Sequence, residues 1–151
     1  MIDIQNRQGL VHKLKGLKSD SDPVWGRMTA QHMVEHLAFA VMSSNGALDQ
    51  KLYFPKEKAE QIKRAVIYTD NELPMGFKAP MLGDTLPKLV CSDLGAALKK
   101  LYLALDEFEL YFLNNPDAKP VNLAMGELDR EEWTRFHNKH FSHHFKQFRL
   151  L

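Results

Sequence analysis

The sequence predicts an all-α fold, a four-helix bundle with a long crossover connection. Three observations carry that expectation. Two helix starts are written with capping residues, at Thr29 and at Asp129; a leucine and phenylalanine stripe runs from Leu94 to Phe112; and no stretch shows a convincing alternation of apolar and polar residues. The 151 residues suit one domain, 1–151. A chain of that length buries roughly 70% of its unfolded surface, so folding requires neither disulfides nor a structural metal.

Leu10, Leu14 and Leu17 recur at helical spacing and predict a first helix from about Ile4 to Leu17, ended by Gly16 and the run Ser19–Pro23. Thr29 stands as the N-cap of the second helix, with Met28 and Met33 in the two positions of a hydrophobic staple. No breaker follows until Asn45-Gly46, so this helix is expected over Ala30 to Ser44. Pro55 opens a charged stretch able to form a short helix. The segment 71–88 then holds Pro74, Gly76, Pro80, Gly83 and Pro87, which forbids a regular helix and predicts a long loop, functional or merely connecting. Ser92 is the expected cap of a third principal helix over 92–114, with Leu94, Leu98, Leu101, Leu105, Phe108 and Phe112 on one face and Asn114-Asn115-Pro116 as its stop. The last helix, 129–148, has the strongest start. Asp129 and Glu132 complete a capping box, stapled by Leu128 and Trp133.

Twenty Lys and Arg against 19 Asp and Glu leave a formal charge of +1, which lacks the basic excess that nucleic-acid binding usually demands. No nucleic-acid partner is expected. The longest uninterrupted apolar run, Leu37 to Met42, is far short of a membrane span. The opening residues contain no apolar leader, and Cys91 is the sole cysteine, so no internal disulfide can form. These features predict the cytoplasm.

Seven histidines are present, and four of them crowd into the last helix: His137, His140, His143 and His144. On a helix turning about 100° per residue, with Trp133 at zero, His140 falls at about −20° and His144 at about +20°, the middle of the apolar stripe. His137 falls at about +40° and His143 at about −80°, the stripe's edge. A histidine centred on a core face must find a hydrogen-bond partner or a metal. Two of them one turn apart can chelate a single ion. The second helix carries another such pair. With Met33 at zero its apolar face centres near +40°, His36 lies at about −60° and His32 at about −100°, so His36 is the inward member. An i, i+4 histidine pair is also compatible with a polar patch or a hydrogen-bonded core pair; a third inward histidine from another helix is what favours a shared ion. His12 reads as a surface residue.

Other candidates are weaker. Glu109 borders the apolar face of the third principal helix, where it could orient a ligand histidine or simply be exposed. Cys91 precedes a helix N-terminus, which can acidify a thiol, although an inert cysteine is the simpler reading. Trp25 and the 71–88 loop could shape the mouth of a pocket, or Trp25 could only anchor the turn before the second helix.

The segment WGRMTAQHMVEHL, Trp25 to Leu37, and the segment GELDREEWTRFHNKHFSHHFKQF, Gly126 to Phe148, together resemble the DinB/YfiT-like superfamily, and most closely a branch of uncharacterised bacterial proteins within it. In that branch a W-G-x-M-T lead enters the helix carrying H-L, and the last helix begins near G-x-L-x-x-x-E-W and carries H-x-x-H-H-x-x-Q-F. The motifs stand at opposite ends of the chain in the right order, so the resemblance spans nearly all of it; the middle loop is the part without a match. It implies a helical bundle of DinB/YfiT type with a three-histidine metal site, here His36, His140 and His144. His32 and His143 are the residues most easily confused with ligands, and His137 is placed to be a hydrogen-bond partner of one.

Members of the superfamily include transferases and isomerases that use thiols such as bacillithiol and mycothiol, and suspected metal-dependent hydrolases. The resemblance therefore implies a small-molecule substrate, a low-molecular-weight thiol among the candidates, with a homodimer among the assemblies the sequence permits. Three imidazoles leave positions open on zinc or nickel, as catalytic sites do. Such an ion can acidify a water or a thiol. No unmistakable general base accompanies the motif. The alternative is a non-catalytic metal- or ligand-binding bundle.

Overall fold

The computed structural model describes residues 1–76 and 83–151; residues 77–82 of the expected 71–88 loop, Pro80 among them, lie outside the described residues. Among the described residues the elements run α1 (Arg7–Leu14), α2 (Ala30–Met42), α3 (Lys56–Ile67), α4 (Leu94–Asn114), β1 (Val121–Asn122), β2 (Gly126–Glu127) and α5 (Arg130–Gln147). The chain is mostly helical, compatible with the all-α expectation. The single departure is a two-residue antiparallel ribbon pairing Val121 with Glu127 and Asn122 with Gly126, too short for any alternation to announce it. No helix among the described residues is long and apolar enough to cross a membrane.

α2 and α4 pack side by side, and α5 lies against α2 and α3. The core between them holds Met33, Val34, Leu37 and Val41 from α2, Leu101, Leu105, Phe108 and Phe112 from α4, and Trp133, Phe141 and Phe145 from α5. Each such side chain contributes roughly 1.5–3 kcal/mol by leaving water. Leu10 and Leu14 of α1 join the same cluster.

Thr29 caps α2 as its sequence predicts, accepting from the His32 N–H. Asp129 and Glu132 form the complete capping box of α5. Two starts differ from expectation. α1 begins at Arg7 because the Asn6 side chain accepts the Gly9 N–H, while the N–H groups of Ile2 and Ile4 are bonded to Ser142 and Asn138 of α5. The stretch before Asn6 is therefore tied across α5 instead of coiling. α4 is capped by Asp93, not Ser92, its carboxylate accepting the Ala96 N–H at 2.7 Å.

After α2 the chain turns sharply against α4. Asn45 is buried and donates to the Ala104 carbonyl. Gly46 has φ +79°, and a Cβ there would stand 2.6 Å from the Tyr111 ring, so both backbone and space call for glycine. This turn fixes the end of α2, where Ser44 meets His137.

Candidate metal centre

α2 supplies His36 and α5 supplies His140 and His144, and the three rings meet across the helix interface. The Nε2 atoms of His36 and His140 lie 2.8 Å apart, and those of His140 and His144 3.1 Å apart. One nitrogen from each ring lies within 4.8 Å of the other two, close enough to bind a single metal ion. His140 and His144 are 8% and 6% exposed. The three residues singled out from the sequence are thus the three the fold brings together.

Hydrogen bonding fixes one of these rings chemically. The Gln147 side chain donates from Nε2 to the Trp25 carbonyl at 2.8 Å, which leaves its Oε1 as an acceptor. That oxygen lies 2.8 Å from His144 Nδ1. His144 therefore carries its proton on Nδ1 and turns the Nε2 lone pair toward His36 and His140. The main chain repeats the link, the Val24 N–H donating to the Gln147 carbonyl at 2.7 Å. Gly26, at φ +78°, leaves room for the amide: a Cβ there would sit 3.1 Å from Gln147 Nε2.

His140 has no tautomer that satisfies the cluster by itself. Its Nδ1 is buried without a hydrogen-bond partner. A proton on Nδ1 is then a stranded donor, and the Nε2 lone pairs of His140 and His144 face each other at 3.1 Å. With the proton on Nε2, one hydrogen must serve two neighbouring nitrogens. Protonating further is worse. Burial pushes His36 down to about 4 and His144 down to about 3, and holds His140 well below its usual range, with the neighbouring histidines adding to the effect in each. The centre consists of neutral imidazole nitrogens that no other group among the described residues saturates.

The remaining sequence candidates lie elsewhere. His137 is fully buried and stacks on Trp133. It donates from Nε2 to Ser44 Oγ at 2.8 Å, since that hydroxyl gives its own hydrogen to the Val41 carbonyl. It bonds no cluster histidine, which corrects the expectation of a ligand partner; the turn at Asn45-Gly46 brings Ser44 to it first. His32 lies on the neighbouring face of α2, bonded to Thr29 and to the Pro87 carbonyl. His12 is exposed. Glu109 pairs with Arg130 at 2.6 Å and touches no histidine of the centre. Cys91 is not acidified: burial and then Glu35 push its thiol up. Its N–H and that of Val90 donate to the Glu35 carboxylate, pinning the chain before α4 to α2 next to His36. Trp25 meets the edge of His143 at 5.5 Å between ring centres, and the two line a cavity with Leu73, Pro74 and Met75 from the expected loop.

Gln147, which holds the His144 ring, was not singled out from the sequence. It stands three residues after His144 on one helix face, a spacing at which side chains meet, so a search for partners of the paired histidines at i+3 would have found it. No protein-family model, curated protein or solved structure matches this chain.

Proposed function

We propose that His36, His140 and His144 hold one divalent metal ion, zinc or nickel, in a helical bundle of the DinB/YfiT type working in the cytoplasm, and that the centre acts on a small molecule by thiol transfer or hydrolysis. The observation that carries this reading is the Gln147 lock, which commits the His144 Nε2 lone pair to a point shared with two other neutral imidazoles, the buried His140 and the half-buried His36. Neutral nitrogen donors suit these borderline ions. A bound ion would also take the Nε2 lone pair of His140, which otherwise competes with the His144 nitrogen for a single hydrogen. The bundle reading is supported by Leu10 and Leu14 of α1 sharing one core with α2, α4 and α5.

A divalent ion held by three imidazoles supplies a Lewis acid with open positions, able to acidify a water or a thiol. The chain's own contribution is orientation and exclusion. Gln147 holds the His144 ring, Phe136 stacks on His140 at 5.2 Å and keeps water from that side, and burial keeps the ligands deprotonated.

The test is elemental analysis of the protein purified without a histidine tag, followed by screens for thiol-dependent transfer and for hydrolysis before and after chelation. About one zinc or nickel per chain and activity lost on chelation are expected. Substoichiometric metal in wild type, or equal content after His36→Ala, overturns the ligand assignment. Full metal content with no chelator-sensitive activity leaves a metal-binding bundle and overturns the enzyme.

A further inference from the structure

Beside the histidine cluster the surface opens into a cavity of about 410 Å³, within the range that small-molecule sites occupy. One wall is α5, with Lys139, His143 and Lys146; the segment Glu72 to Met75 forms another, and Trp25 closes the side. His143 touches both cavity and centre. Its ring stands 5.5 Å from Trp25 and 5.0 Å from His144. The wall and the centre also share a mooring, because the Trp25 carbonyl holds the Gln147 amide that fixes His144.

We propose that this cavity is the substrate pocket of the histidine centre and takes a small organic monoanion, its carboxylate bound at Lys146 in exchange for Glu72 and its apolar body laid against Trp25, Leu73 and Met75. The substrate role rests on reading the cluster as a reactive centre; the binding itself does not.

Lys146 Nζ lies 2.6 Å from both carboxylate oxygens of Glu72. The chain's own carboxylate thus displays the contact that a ligand carboxylate would make. Glu72 is easily exchanged. Its side chain is 62% exposed, so leaving Lys146 returns it to water at little cost, as for surface ion pairs in general. A second ammonium backs the wall. Lys139 is 6% exposed, and its Nζ donates to the carbonyls of Val66 and Thr69 just past the end of α3, with Asp70 the acid whose field reaches it. Once Glu72 swings out, the described lining residues carry two cationic side chains and no carboxylate, which favours an anion. The other lining groups used here, the Trp25 ring, Leu73 and Met75, are apolar and suit a compact hydrocarbon or aromatic body.

The test uses the full-length chain and two probes of matched shape, phenylacetate and the neutral phenylacetamide, titrated calorimetrically in excess EDTA and again with zinc. Phenylacetate should bind at least about tenfold more tightly than the amide in both conditions, as a charge-assisted contact requires. Glu72→Gln removes the internal competitor and should tighten phenylacetate about two- to fivefold. Lys146→Gln should erase the preference for the carboxylate. Both positions are substantially exposed, and unchanged helicity in each variant excludes misfolding. Equal affinity for the two probes overturns the proposal, as do no binding of either, a preference that survives Lys146→Gln, or weakening by Glu72→Gln, which would mark a cation site. His140→Ala separates the two readings: it should end zinc binding while the carboxylate preference in EDTA persists. Loss of that preference in His140→Ala would place the anion on the cluster rather than on Lys146, against the proposal.

Discussion

Adjacent turns of α5 bury histidines in opposite settings. His137 and His140 are both screened from water, at 0% and 8% exposure, and each keeps an unpartnered Nδ1. His137 sends its one N–H to a hydroxyl that is free to accept it and lays its ring on Trp133. Only its Nδ1 lone pair is left without a partner. His140, one turn closer to the C-terminus, points its Nε2 at two other imidazole nitrogens, one of which is already committed as a lone pair by Gln147. Burial alone therefore does not mark a ligand. What separates the two is the Nε2 atom, which meets an accepting hydroxyl in His137 and two imidazole nitrogens in His140.

Acid should expose the shared part of this pair most strongly. Burial lowers His36 to about 4 and both His137 and His144 to about 3, against about 6.5 for an unfolded histidine. The unfolded chain therefore takes up protons first. Stability of the metal-free protein is fully present above about pH 6.5 and is lost as pH falls toward 4 and then 3. Zinc should add stability above pH 6.5 by mass action, and that increment should vanish on acidification because protons compete for the same nitrogens. Urea midpoints recorded from pH 7.5 to pH 4, with and without zinc, measure both effects. A flat profile would mean that these imidazoles are not held neutral by the fold.

A smaller effect tests the lock itself. Gln147→Leu removes the acceptor of the His144 Nδ1–H while keeping most of the side chain's volume. Zinc affinity, followed by competition with a chelating dye, should fall about 10- to 100-fold, the usual cost of losing a partner behind a metal ligand, with the stoichiometry still one. An unchanged affinity would show that His144 needs no such orientation.

Much of this comparison was legible in the sequence. The capping box at Asp129 and the Trp133 stripe set the phase of α5, and that phase put His140 and His144 inward. The Thr29 cap did the same for His36. The distinction between His137 and His140 was not legible, because it depends on Ser44, which reaches α5 through the turn at Asn45-Gly46 and its docking on Tyr111 and Ala104. Helical phase says which way a side chain points within its own helix and nothing about which group a neighbouring turn delivers to it. Of the two readings of Glu109 the plain helix glutamate holds, and its pairing with Arg130 was hidden for the same reason, since it belongs to the packing of two helices. The start of α1 was misplaced because Ile2 and Ile4, apolar at a spacing that neither helix nor strand excludes, spend their N–H groups on α5.

The most direct test sets the two turns side by side in one calorimetric zinc titration at pH 7.5, with wild type, His137→Ala and His140→Ala. His137→Ala should cost about 3 kcal/mol of stability, as truncation of a packed aromatic ring does, yet it should bind one zinc per chain wherever it remains folded. His140→Ala should keep its helicity and lose the stoichiometric site. Equal zinc uptake by His140→Ala and wild type would contradict the account, and so would a folded His137→Ala protein that binds none.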